Sequence, residues 1–153
     1  MIYSFQGETI HGSFDDFVRL TKEHYQEMSD RLERDGINVS PYNPQFGRYI
    51  EFNKGGWLKF FTVRHQFECI GYCLDYVTVD MHNGDRIAKE DALFVTRNHR
   101  NGVSKKLVQY VLEQLKELDV QRAYCSAVTD LRVEKLWRRM GFKNIATEMV
   151  YEF

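Results

Sequence analysis

Residues 94–107 read FVTRNHRNGVSKKL, and the order of residue types in that stretch decides the fold. Ala92, Leu93, Phe94 and Val95 make a compact apolar strand that ends in the polar run 96–101, and Gly102 then turns the chain. A helix is expected from about Val103, because Leu107, Val108, Val111, Leu112, Leu115 and Leu118 fall on one face while Lys105, Lys106, Glu113, Lys116 and Glu117 fall elsewhere. A helix that opens straight after a glycine-bearing turn presents N–H groups without carbonyl partners and the positive end of its dipole. It can therefore hold a phosphate or pyrophosphate without a large basic surface. Gly102 lets the main chain approach such a ligand, Arg97, Arg100, Lys105 and Lys106 add local charge, and the Ser104 hydroxyl adds a donor. A solvated helix start would carry similar residues, so the flanking elements have to decide between the two.

Downstream, 123–128 reads as a strand, parallel to the one before the helix if the crossover is right-handed. A second amphipathic helix spans about 130–140 and is closed by Gly141, and 142–153 reads as a terminal strand or ribbon. Upstream, the aromatic and β-branched runs from Leu58 to Val63 and from Ile70 to Val79 predict an antiparallel hairpin around a charged turn at 65–68, followed by a polar connection over 80–89. The first third is helical: Ser13 stands at an N-cap position with Asp15 and Asp16 in the first turn, and a helix runs from about 13 to 35, stopped by Gly36. Pro41 and Pro44 break the chain before a short helix that ends at Gly55 and Gly56, and 1–10 carries a weak first strand.

Composition bounds what this order can serve. The 153 residues suffice for one domain and leave little room for a second, so 1–153 is taken as one unit. Hydrophobic residues at 43% with only 2 prolines exclude disorder. A formal charge of −1 is too weak to recruit a nucleic acid nonspecifically, so any anion site is local. Cys69, Cys73 and Cys125 form no disulfide framework and no CxxC pair, and with no leader-like segment or bilayer-length apolar run the expectation is a cytoplasmic chain that binds no membrane. Asp80, His82 and Asp85 lack a fourth ligand at a recognisable spacing, so no metal is expected.

A second local pattern, Leu136, Trp137, Arg138, Arg139, Met140, Gly141 and Phe142, follows the last helix. Together the two stretches resemble the GNAT-family N-acetyltransferases, whose acetyl-CoA loop follows the fourth strand as R-G-x-G-x-G/A and whose later helix ends in L-Y-x-x-x-G-F. The helical first third, the hairpin and the terminal strand fall in that family's order, and His82 and Asp91 match a histidine and an acid that recur in its phage-encoded subgroup. The resemblance implies an α/β fold with a mixed, mostly antiparallel twisted sheet flanked by about four helices. It implies acetyl-CoA as co-substrate, held by Phe94, Val95 and Thr96 of the strand end and by Arg100, Asn101, Gly102, Val103, Ser104, Lys105 and Lys106 of the loop. Counting back from Leu107 puts His99 at the family's Arg or Gln position, whereas matching Arg100 there leaves the loop one residue short, and the sequence leaves both registers open.

The implied reaction is direct attack of a neutral primary amine, from a small molecule or a protein, on the thioester carbonyl. The amine has to lose a proton, and the carbonyl needs a donor as it becomes an oxyanion. The family's fourth-strand bulge, which supplies that donor from the backbone, maps to about 93–95. Glu90 and Asp91 are the first candidates for the base and His82 the next, although neighbouring strand residues face opposite sides, so Glu90 and Asp91 do not share one pocket. The family's acid, a tyrosine, falls on Trp137, whose indole N–H does not release a proton at neutral pH; Tyr124 and Tyr151 are untested substitutes. A non-catalytic CoA-binding or protein-interaction domain is therefore the alternative, and the sequence admits a homodimer.

Overall fold

Alternating apolar side chains build the centre of the sheet, and the helices cover its two faces. In the computed structural model, which describes residues 2–153, the order is β1 (Ser4–Glu8), α1 (Phe14–Arg34), α2 (Phe46–Lys54), β2 (Leu58–His65), β3 (Glu68–Val79), β4 (Arg86–Val95), α3 (Val103–Glu117), β5 (Arg122–Tyr124) and α4 (Leu131–Arg139). The strands lie side by side in sequence order; all neighbours are antiparallel except β4 and β5, which are parallel. The result is the expected mixed α/β architecture with a five-stranded, mostly antiparallel sheet and four helices.

On one face, Leu107, Val111 and Leu115 of α3 pack on Val63, Cys73, Val77, Ala88 and Val95. On the other, Phe17 and Leu20 of α1 pack on Phe60, Tyr72, Leu74 and Phe94, with Tyr49 of α2 against them. Phe17 is wholly buried, its ring edge-on to Tyr49 at 5.2 Å and Phe60 at 5.4 Å; burying such a side chain favours the fold by roughly 3 kcal/mol. Ser13 does precede α1, but its hydroxyl donates to Glu8 Oε1 at 2.6 Å rather than capping the helix. Glu8 is claimed by Arg64 as well, at 2.9 Å.

The sheet departs from expectation in three places. β4 begins at Arg86, so the polar connection shrinks to 80–85; the charged residues Arg86, Lys89, Glu90 and Asp91 hid a strand whose Ile87 and Ala88 are buried. The bulge lies at Asp91 rather than at 93–95, since Leu74 pairs with Ala92 and Asp75 with Glu90, which leaves Asp91 without an opposite number. Ala88 and Ala92, which regular alternation would put on one face, consequently pack on opposite faces. β5 holds three residues instead of running to 128, and 142–153 carries no helix or strand. The ladder ends at Lys89 with Tyr124, so β4 from Glu90 to Val95 continues without a β5 partner, and the short β5 edge gives a terminal strand little to pair with.

Candidate functional site

The site is built around the C-terminal half of β4, which has no β5 partner, the loop that follows it and the gap beside it. Thr96 N–H bonds back to Ile70 O at 2.8 Å, and a single 3-10 turn, Arg97–His99, is closed by His99 N–H on Thr96 O at 2.9 Å. Gly102 then adopts φ +81°, and the first bond of the α3 ladder runs from Lys106 N–H to Gly102 O at 3.3 Å. The amides of Val103, Ser104 and Lys105 precede that ladder, and no atom lies within 4 Å of where a Cβ on Gly102 would stand. Asn101, Lys105 and Lys106 are exposed and Ser104 is half-buried. Open space, a left-handed glycine and a row of unclaimed amides form a cradle that fits a diphosphate.

Arg100, expected to serve the phosphates, is engaged elsewhere. Its Nε donates to Val95 O at 2.7 Å, its Nη2 to Glu27 Oε2 at 2.7 Å, and the guanidinium lies 5.5 Å from the centre of the Phe94 ring. That hydrogen bond holds the Glu27 carboxyl below its usual range. His99 is also turned to the protein, Nδ1 to Tyr3 OH at 3.2 Å. Beneath the same corner His24 stacks on Phe94 at 5.0 Å and meets Tyr72 OH through Nδ1 at 2.7 Å; burial pushes it down to about 4. In either register the side chain at the family's Arg or Gln position, His99 or Arg100, is bonded to the protein.

Glu90 and Asp91 part company at the bulge. Glu90 lies opposite Asp75, in a cavity that also has Cys73, Cys125 and Trp137 in its wall beneath α3. Asp75 is 3% exposed and accepts from Cys73 Sγ at 3.1 Å. Burial, and then the charge of the other carboxylate among its neighbours, pushes Glu90 up to about 8; burial likewise raises Asp75 to about 6. Asp91, itself exposed, faces the α1 and α2 side, where its charge bears on Tyr49, Tyr72 and Tyr76, and partial desolvation there raises its own carboxyl. His82 is brought to neither group: it stands exposed on the β3–β4 turn, bonded to Asp80 through Nδ1 at 3.0 Å. Phe94 and Val95 are core residues at the end of β4, and Thr96 is half-buried.

Trp137 occupies the floor of a groove of about 570 Å³ that runs from the Glu90 cavity along β5 and α4, within the size range of small-molecule sites. It is 5% exposed and packs on Phe142 at 5.0 Å, and its Nε1 has no hydrogen-bond partner among the described residues. Sequence reasoning missed Asp75, Glu27 and His24; the one signal was a single carboxylate inside the otherwise apolar run 70–79.

A sequence model of the Acetyltransferase (GNAT) family matches residues 19–142. The chain belongs to the GNAT acetyltransferase family. Solved structures of this family share its fold at low identity. Ribosomal-protein-alanine N-acetyltransferase from Brucella melitensis biovar Abortus 2308 superposes with a TM-score of 0.74 at 13% identity over 100% of both chains. The aminoglycoside acetyltransferase meta-AAC0020, from an uncultured soil metagenomic sample, gives 0.77 at 14% identity over 99% of this chain and 96% of that one. AAC(6')-Iy, in complex with a bisubstrate analogue, CoA-S-monomethyl-acetylneamine, gives 0.75 at 14% identity over 100% and 99%. A search of curated proteins returns no match. In this GNAT chain, no helix among the described residues is long and apolar enough to cross a membrane.

Proposed function

We propose that this GNAT chain transfers an acetyl group from acetyl-CoA to the primary amine of a small molecule or protein by direct attack. The observation that carries the reading is the parting of β4 from β5 after Lys89 and Tyr124, beside a helix that opens on Gly102. In this reading the amides that precede the α3 ladder, those of Val103, Ser104 and Lys105, grip the pyrophosphate, with the side chains of Asn101, Lys105 and Lys106 at the rim, and thereby aim the thioester into the gap. The stretch of β4 beyond Glu90, which has no β5 partner, supplies a main-chain N–H to the carbonyl oxygen as charge develops on it, and the bulge argues for a donor close to Asp91.

Asp91 is the favoured base. It stands at the bulge, on the face lined by Tyr49, Tyr72 and Tyr76, and its raised proton affinity suits it to take a proton from an ammonium directly or through water. That aromatic and acidic surface fits a cationic amine. His82, at the hairpin tip, is the reserve candidate, and the match of His82 and Asp91 to the phage-encoded subgroup belongs to the same reading. Trp137 favours a second reading, a CoA-binding domain without catalysis, because an indole keeps its proton.

Thermal denaturation with acetyl-CoA tests the cradle: at about 100 Kd a ligand of the folded state adds about 2.7 kcal/mol, a rise of roughly 5–10 °C in a domain of this size. Thiol release across a panel of amines tests the chemistry. Stabilisation without thiol release establishes the second reading, and an unmoved Tm overturns both.

A further inference from the structure

The groups that surround Glu90 give it a different task from Asp91. From β3 come Asp75, directly opposite it, and Cys73; from β5 and the segment after it come Tyr124, Cys125 and the Ser126 N–H, which bonds the Glu90 carboxylate; Glu148 bears on it from the C-terminal segment and Asp91 from the bulge. α3 contributes only Val108, Val111, Leu112 and Leu115 to the same cavity. No cation lines this cavity among the described residues. Trp137 also lines it, with a buried N–H that has no hydrogen-bond partner among the described residues, at the position that the resemblance gives to the family's proton-donating tyrosine.

We propose that Glu90 is the general acid of this enzyme, the group that protonates the departing CoA sulfur in place of the missing tyrosine, with Asp75 as its positioning residue. The inference rests on the acetyl-transfer reading above. Glu90 is the first residue of β4 beyond the last pair with β5, so it stands where the strands begin to separate, on the face opposite the favoured base. Two carboxyls facing each other in a cavity without a cation cannot both ionise freely, and the second negative charge keeps a proton on the first. Burial and the Asp75 charge push Glu90 up to about 8, so it enters the reaction at neutral pH as a carboxylic acid. Trp137 lines the cavity as well, but an indole keeps its proton and cannot neutralise the sulfur.

The step balances as follows. The amine nitrogen, already relieved of one proton on the Asp91 side, bonds to the carbonyl carbon and gives up its second proton to the same side. The carbon–sulfur bond breaks with its electron pair on sulfur, and the Glu90 proton moves to that sulfur to give the free thiol. Glu90 regains a proton from solvent through the groove.

The experiment compares wild type, Glu90→Gln and Asp75→Asn. In the wild type kcat falls on the alkaline side with a midpoint near 8. Glu90→Gln removes that limb and lowers kcat about 100-fold, the low end for a general acid because a thiolate leaves readily, while the Kd for acetyl-CoA stays within about twofold. Asp75→Asn keeps the limb but moves it to lower pH, which a purely structural residue would not do. A readout independent of turnover is the carboxyl carbon of Glu90 in ¹³C-labelled, ligand-free protein, identified by its loss in Glu90→Gln; its titration is expected near pH 8, and at lower pH in Asp75→Asn. If Glu90→Gln fails to fold, the wild-type and Asp75→Asn rate profiles still decide. A wild-type midpoint in the ordinary carboxylate range, full rate in Glu90→Gln, or loss of the acid-side rise instead of the alkaline fall overturns the inference and leaves the acetyl-transfer reading standing. Absence of thiol release from wild type with every amine overturns that reading, and this one with it.

Discussion

Substituting Gly102 separates stability from binding, because the two are expected to move in different directions. Its φ of +81° is a left-handed conformation, which costs an L-residue roughly 1–2 kcal/mol. Its surroundings are open, so a Cβ there meets no clash and strain is the whole cost. Gly102→Ala should therefore lose about 1 kcal/mol, or roughly 2–4 °C in Tm for a chain of this size. Gly102→Glu carries the same strain but sets a carboxylate at the start of α3, where the helix dipole returns roughly 0.3–1 kcal/mol; it should be at least as stable as the alanine variant. Towards acetyl-CoA the order reverses. A unit charge about 5 Å from a phosphate, at an effective dielectric near 20, is repelled by about 3 kcal/mol, which weakens binding on the order of 100-fold. Calorimetric Kd values and melting curves for the three proteins, with and without acetyl-CoA, make the comparison. Equal affinity in the alanine and glutamate variants would refute the placement of the phosphates, and a glutamate variant far less stable than the alanine one would refute the dipole and open-space argument.

Further outcomes follow from the same structure. Gly71→Ala puts a methyl 2.7 Å from Phe94 O and 2.9 Å from side-chain carbons of Val63 and Val95, so it should cost about 1–3 kcal/mol by overpacking, read by denaturant unfolding. Arg100→Ala removes the clamp between Glu27 and Val95 O and should loosen the loop, with a several-fold higher Kd for acetyl-CoA and a stability loss of about 1 kcal/mol for this half-exposed pair; Arg100→Lys should not restore affinity, because one ammonium cannot reproduce the fork. Burial raises the carboxyls of Asp75 and Glu90 to about 6 and 8, so the folded chain keeps protons that the unfolded chain releases. Their unfavourable effect is absent below pH 4 and grows as pH rises towards 8. Tm should therefore fall from pH 5 to pH 8, and by less in Glu90→Gln; an equal fall in both proteins would contradict this origin. The Glu8 carboxyl acts in the opposite sense, as its bonds to Arg64, Ser13 and Thr62 outweigh its burial and bring it down to about 2, but only below pH 5.

The parts of the molecule written in residue periodicity were legible before the structure. The helix after Gly102, the β2–β3 hairpin and α1 each carry a repeat that one face of a helix or sheet requires, and the glycine turn carries its own backbone geometry. What was not legible depended on partners. β4 was read four to six residues short because its charged positions look like loop: Arg86, Lys89 and Asp91 are exposed, and only Glu90 enters the cavity beside Asp75. A bulge leaves no residue signature, so nothing in the letters around Asp91 marks it. The strand expected at 142–153 follows its alternation, but β5 offers three residues of edge and the pairing does not form. At the site, the cradle was read from local sequence, whereas Asp75 acquires meaning only opposite Glu90, and Arg100 only when Glu27 of a distant helix takes it up.

The single inserted residue at Asp91 has a consequence for proton traffic. Because it reverses which way β4 shows its side chains, the carboxyls of Asp91 and Glu90 end up on opposite sides of one sheet, with packed strands as a wall between them. In the proposed reaction the hydrogen stripped from the acceptor is then not the one that caps the thiol. Each side settles its own account with water every cycle, and either can be retuned by evolution while the other is left alone.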